Sequence, residues 1–160
     1  ATVSVWFQGD CDIDCSIQQV QRAFDDRGRL FAGIVRLMPG MTSVELVEQT
    51  GDGVTIRTNE GVMKRTNISK NIEDGRLVVE FDERYEARSR VRTTSHFLEE
   101  FTTRDGGVMY RLIMSDVAAS GLLGFLYRRF GSSRTGKAFL TATKTYLEQQ
   151  AVAERPTGLG

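Results

Sequence analysis

The sequence predicts an α+β fold: a curved, seven-stranded antiparallel sheet wrapped around a long C-terminal helix, with two short helices after the first strand. Three observations point there. From Thr42 to about Val117 the chain reads as strand after strand, with polar or Gly-containing breaks between them. Short helical patterns precede that meander, and one long helical pattern follows it. The space between such a sheet and its helix is a natural ligand cavity.

Each element has its own signature. Val3, Val5, Phe7, Cys11 and Ile13 fall on alternate positions, the period of a half-buried strand, and leave Trp6 on the other face with Thr2, Ser4 and Gln8. Ile17, Val20 and Phe24 mark a short helix whose free N–H groups Ser16 or Asp14 can cap. Leu30, Phe31, Ile34 and Leu37 mark a second, over about 29–37, which Pro39-Gly40 ends. Strands are then expected over 42–49, 54–58, 62–72, around Leu77–Phe81, over 90–103 and over 108–116. Turns at Gly51-Asp52-Gly53, Asn59-Glu60-Gly61, Glu73-Asp74-Gly75 and Asp105-Gly106-Gly107 each offer a glycine for the positive φ of a tight hairpin. The helical period returns from Leu122 to about Gln150, and Gly131-Ser132-Ser133 predicts a kink there or a loop dividing it. Residues 1–150 read as a single domain, and 151–160 as a flexible tail.

Composition narrows the function classes. Lysine plus arginine equals aspartate plus glutamate at 21 each, so no global attraction to nucleic acid is expected. No apolar run approaches the ~18–20 residues that span a bilayer, so integral membrane contact is not expected. The first residues lack a basic region followed by an apolar core, so no secretory signal is visible in the sequence, which leaves open one already removed. Cys11 and Cys15 are not a CxxC pair and have no second pair to complete a zinc site. Two free thiols in a reducing cytoplasm, with no metal and no cofactor, is the expectation.

Strand parity names candidate site residues. Leu77, Val79 and Phe81 share a face with Glu83 and Tyr85; Ser95, Phe97 and Glu99 share one on the next strand; Tyr110 and Leu112 share one on the last. From the helix, Leu126 and Phe130 are expected to face the same space. Sparse polar groups among apolar ones suit a ligand cavity, where the polar groups fix orientation and the apolar wall supplies affinity. Glu83 or Glu99, buried near apolar walls, would have a raised pKa and could act as general acid or base; the plainer alternative is that both are surface charges at flared strand ends. His96 falls on the opposite parity, facing outward. Arg84, Arg88, Arg90 and Arg92 lie near Glu80, Asp82 and Glu86, a pattern of cross-strand charge pairing on a solvated face. Gly131 to Lys137 matches GxxxxGK, but Ala138 lacks the hydroxyl that would bind magnesium, so a Gly/Ser break in a helix is the better reading. The apolar start Leu122, Leu123, Phe125, Leu126 and Phe130 could anchor at a membrane interface, but Gly121 and Gly124 favour burial against the sheet.

The order of elements resembles the helix-grip fold of the START-like (SRPBCC) superfamily. That superfamily includes plant pathogenesis-related allergens, lipid-transfer START domains and bacterial polyketide cyclase/dehydrase-like proteins. Met38-Pro39-Gly40-Met41-Thr42-Ser43-Val44-Glu45-Leu46 is similar to the "PG-hydrophobe-x-S-V-E" strand entry of many bacterial members. Asp12-Ile13-Asp14-Cys15-Ser16, leading into Val20, is similar to their strand-to-helix junction. The chain departs from the pattern at Asp25 to Phe31, where members often carry an aromatic and a proline, and this implies a different cavity entrance. The resemblance implies a monomer or homodimer binding a hydrophobic or amphipathic small molecule (a lipid, polyketide or isoprenoid) between sheet and helix. The alternative it implies is a polyketide aromatase/cyclase or dehydratase-like enzyme with a pocket carboxylate as general acid/base.

Overall fold

The computed structural model describes residues 3–155. Its elements are β1 (Val5–Ile13), α1 (Ile17–Asp25), α2 (Arg27–Arg36), β2 (Val44–Gln49), β3 (Val54–Thr58), β4 (Gly61–Glu73), β5 (Arg76–Ala87), β6 (Arg92–Arg104), β7 (Gly107–Ala119), α3 (Gly121–Phe130) and α4 (Ser132–Ala153). The strands form one antiparallel sheet in the order β1-β7-β6-β5-β4-β3-β2. Hairpins connect β2 through β7 in sequence, and β1 closes the far edge beside β7. This is the helix-grip arrangement.

Local chemistry explains the junctions. Ser16 caps α1 through a reciprocal box: Gln19 N–H donates to Ser16 Oγ at 3.1 Å, and Ser16 N–H donates to Gln19 Oε1 at 2.9 Å. Asp14 takes no part in that cap. Gly61 opens β4 where the backbone of β5 passes very close, since a Cβ there would lie 2.2 Å from the Glu86 carbonyl oxygen. Gly75 and Gly106 do adopt positive φ, but the Gly51-Asp52-Gly53 turn closes without it.

The inner face of the sheet carries Leu77, Val79, Phe81, Phe97, Phe101, Tyr110 and Leu112, all within 1% of full burial. Val20, Phe31, Val35 and Leu147 from the helices meet them, nearly as deeply buried. Aromatic rings link the layers: Phe81 stacks on Phe97 at 4.8 Å, and Phe97 and Phe139 on α4 meet at right angles with centres 5.3 Å apart.

Three expectations change. The C-terminal helix is two helices, because Gly131 separates α3 from α4. The helix also outlasts residue 150: α4 runs to Ala153 and Ala151 is buried, so the tail expected over 151–160 is helical at its start, and its part from 156 on lies outside the described residues. Trp6 does not stay on the outer face with Ser4 and Gln8. A bulge between Val5 and Phe7 turns it, so that its indole N–H donates to the Arg128 carbonyl at 2.8 Å and its ring packs on Tyr127 of α3 at 5.2 Å.

The GxxxxGK run forms the first turns of α4. Its second glycine is there for packing: Gly136 is buried, and a Cβ on it would sit 2.2–2.3 Å from three atoms of the Phe7 ring. Gly136→Ala is therefore expected to destabilise the fold by about 1–3 kcal/mol through overpacking, although alanine favours helix at an ordinary site. Chemical denaturation measures this, and a stabilised variant would refute the β1–α4 contact.

Candidate functional site

Arg65 on β4 and Glu83 on β5 are direct cross-strand partners on the inner face. Both are buried, Arg65 at 3% exposure and Glu83 at 9%. Arg65 Nε donates to Glu83 Oε2 at 3.0 Å, and Nη2 lies 3.0 Å from the same oxygen in an ion pair. The guanidinium also lies 4.5 Å from the Phe81 ring centre, 4.6 Å from Phe31 and 5.2 Å from Phe97. Next to this pair, the Tyr110 hydroxyl donates to the Glu99 carboxylate, and Thr143 on α4 borders the same small void.

Burial sets the electrostatics here. It pushes the Glu83 carboxyl above its ordinary pKa, against the charge and hydrogen bonds of Arg65, which pull it down. Burial likewise raises Glu99, opposed by the Tyr110 hydrogen bond and by Arg65. Tyr110 is pushed well above its ordinary value by burial and then by Glu99. One guanidinium compensates one carboxylate, so the second carboxyl is held toward its protonated form.

Side chains fill the middle of the molecule. The void bounded by Arg65, Phe81, Phe97, Glu99, Tyr110 and Phe139 is about 10 Å³, too small for an organic ligand. The open space lies at one end instead. There a cleft of about 420 Å³ runs between α2, α3, the start of α4 and strands β4–β6. Its walls are Val35, Met38, Met41, Met63, Val91, Leu123, Tyr127 and Phe139, and Glu83 lies on its floor. Tyr85 also faces it; its hydroxyl oxygen is buried without a hydrogen-bond partner, and burial raises its pKa.

Neither a protein-family model nor a curated protein matches the chain. Solved structures do. One is a conserved protein from Geobacillus kaustophilus, with TM-score 0.65 and 12% identity over 91% of this chain and 94% of that one. A second is protein Ms6760 from Mycobacterium smegmatis, with TM-score 0.62 and 11% identity over 92% and 91%. A third is a STAR-related lipid transfer protein from Xanthomonas axonopodis, with TM-score 0.57 and 16% identity over 89% and 85%. The chain has the START-like fold.

Within this START-like frame, the residues named from sequence separate into groups. Glu83 and Tyr85 reach the cleft. Phe97, Glu99, Tyr110 and Leu112 face inward but lie in the packed core below it, so they support the site rather than line it. Ser95 is half-buried and borders a depression beside His96 and Asp82, away from the cleft. Leu126 and Phe130 are exposed, at 42% and 70%. They do not face the cavity, because α3 turns Gly124 and Tyr127 inward and Leu123 alone of its leucines borders the cleft.

His96 faces outward, with its two ring nitrogens 2.9 Å from Asp82 and from Glu80. Burial lowers its pKa, but hydrogen bonds to Asp82 and Glu80 outweigh this and hold the imidazole above its ordinary value. The expected arginine pairing on that face does not form: among the described residues, Arg84, Arg88, Arg90 and Arg92 make no ion pair. Burial pushes both thiols, Cys11 and Cys15, up to about 11, which makes them poor nucleophiles. Sequence reasoning missed Arg65. Met63 and Arg65 share a parity in the sequence, but the pairing of Arg65 with Glu83 follows only from the β4–β5 register.

Proposed function

We propose that this START-like domain binds a small hydrophobic or amphipathic molecule in the end cleft. The observation that carries the reading is the cleft's composition: about 420 Å³ of apolar wall, rich in Met and aromatic side chains, with the unpartnered Tyr85 hydroxyl and the Glu83 carboxyl as its buried polar groups. That volume falls in the range of small-molecule sites, and this balance gives affinity through apolar burial and orientation through a few polar contacts. The thioethers of Met38, Met41 and Met63 adapt to ligands of varied shape. The ligand's apolar body would lie against them, and a hydroxyl or carbonyl at its end would meet Tyr85. The lipid-transfer name of one structural relative agrees with an apolar ligand.

A second reading rests on Glu83. It is the buried carboxyl on the cleft floor, raised by burial and backed by Arg65, and so suited to passing a proton to a carbonyl substrate such as a polyketide.

Native mass spectrometry of the purified protein, with identification of any released molecule, tests the first reading. A co-purifying apolar compound is expected, or failing that a rise in melting temperature with at least one fatty acid, quinone or polyketide added. Thr93→Trp, which fills the cleft, should abolish either signal. An empty protein indifferent to the whole panel would overturn it. Turnover of a bound carbonyl compound that Glu83→Gln stops, with binding retained, would favour the enzyme.

A further inference from the structure

We propose that α3 is a peripheral docking helix for an anionic lipid bilayer, and that the apolar cleft opens beside the docked face. The helix leaves an unusual amount of apolar surface uncovered. Leu122 is 75% exposed, Leu123 60%, Phe125 58%, Leu126 42% and Phe130 70%. At 100° per residue these five span one arc of about 160°. The opposite side holds the helix to the body. Gly124 is buried against Ala119, and the Arg128 guanidinium donates from Nε to the Val117 carbonyl at 2.8 Å. Tyr127 packs on Trp6. The helix therefore lies flat on the protein with its apolar arc to the outside, the geometry of an interfacial amphipathic helix.

Charge identifies the occupant. The chain is neutral overall, yet from Val117 to Leu147 it contains no acidic residue. Arg128, Arg129, Arg134 and Lys137 on α3 and early α4 are exposed. Across the cleft, the β5–β6 turn adds exposed Arg88, Arg90 and Arg92, again with no acidic residue from Ala87 to Leu98. That turn is tied to the start of α3: Ser120 N–H donates to the Arg92 carbonyl at 3.0 Å, and Arg92 N–H donates to Ser120 Oγ at 2.9 Å. None of these seven cations is ion-paired among the described residues. Glu60, exposed at the rim, and Glu83, buried on the floor, are the acids that border the cleft, and exposed Glu86 stands across from Arg92; the seven cations outnumber them. An apolar arc ringed by unpaired cations complements apolar tails under anionic headgroups. A second copy would not suit it, because two such faces would bring like charges together.

Leu123 belongs both to the exposed arc and to the cleft wall, and Ala87, Ser89 and Val91 of the arginine turn line the other side. Docking would place the cleft mouth at the lipid, so an apolar molecule could pass without crossing water. The docking itself does not rest on the ligand reading, and its test uses the protein without added ligand.

Vesicle flotation with the whole chain is the experiment, comparing phosphatidylcholine alone with phosphatidylcholine containing phosphatidylglycerol. Trp6, the only tryptophan, lies under α3 and reports docking by a blue shift of its emission. Binding is expected to the anionic vesicles and to weaken with added salt. The neutral double substitution Leu122→Ser/Phe125→Ser should lower the partition coefficient by about tenfold or more, and Arg129→Gln by about fivefold. Ile72→Ser, at an exposed site on β4, should leave it unchanged. Failure to bind either vesicle overturns the proposal. So does binding that Leu122→Ser/Phe125→Ser leaves intact, which would mean charge alone, or a stable dimer in solution that the same double variant dissolves.

Discussion

Arg65→Met should destabilise the protein by about 3–5 kcal/mol at neutral pH, the usual result of removing one member of a buried ion pair. The cost comes from what is left behind. Methionine fills much of the volume among Phe31, Phe81 and Phe97, but Glu83 and Glu99 are then left buried with no cation beside them. Both carboxyls already have raised pKa values in the folded protein, with burial the largest cause and Arg65 pulling each down. Losing Arg65 moves both further up. A raised acid holds its proton in the folded state and gives it up in the unfolded state. Its stabilising contribution is therefore fully present below the unfolded pKa and is lost as pH rises through the folded value. The variant should lose stability with rising pH over a wider window than the parent. Urea denaturation from pH 5 to pH 8 reads this out. Arg65→Met/Glu83→Gln should recover most of the loss, because it removes the stranded charge as well. A single variant with the parent's pH profile would show that Arg65 does not govern these carboxyls.

That cluster also marks where sequence reading stops. The strands, their order and the two short helices follow from alternation and turns, because each hairpin is short enough for local signals to determine. Arg65 was legible in the same terms, but a lone arginine in a strand reads as solvated unless its partner is known. Its partner became visible only with the β4–β5 register, which pairs it with Glu83. Further along β4 a bulge between Thr66 and Ser69, with Asn67 at positive φ, breaks the alternation, and Ile72 ends up 52% exposed. The placement of α3 had no local signal at all. Its apolar residues repeat as a buried helix would, yet α4, α1 and α2 already cover the inner face of the sheet, so α3 remains outside. For the same reason the cavity moved from the centre of the molecule to its end.

Phe139→Ala should open the centre again. Phe139 lies on α4 as the partition between the end cleft and the small inner void, and it borders both. Its ring packs at right angles to Phe97 with centres 5.3 Å apart, and the residue is 7% exposed. Truncation should cost about 3–5 kcal/mol, from lost burial together with the space left behind. That space is bounded by rigid rings: Phe81 and Phe97 are stacked on each other and pinned under Arg65, so they have little freedom to collapse inward. The variant should therefore bind longer or wider apolar molecules than the parent. The expected pattern is a crossover. Without ligand the variant melts lower, and a bulky apolar ligand restores more stability to it than to the parent, in proportion to RT ln(1 + [L]/Kd). Thermal melts over a graded series of fatty acids would show where the crossover falls. If the ligand series stabilises both proteins equally, the rings have relaxed into the gap, and the inner space is not a latent extension of the cleft. If the crossover appears, Phe139 sets the depth of the site, and a single aromatic side chain divides the end cleft from the inner space.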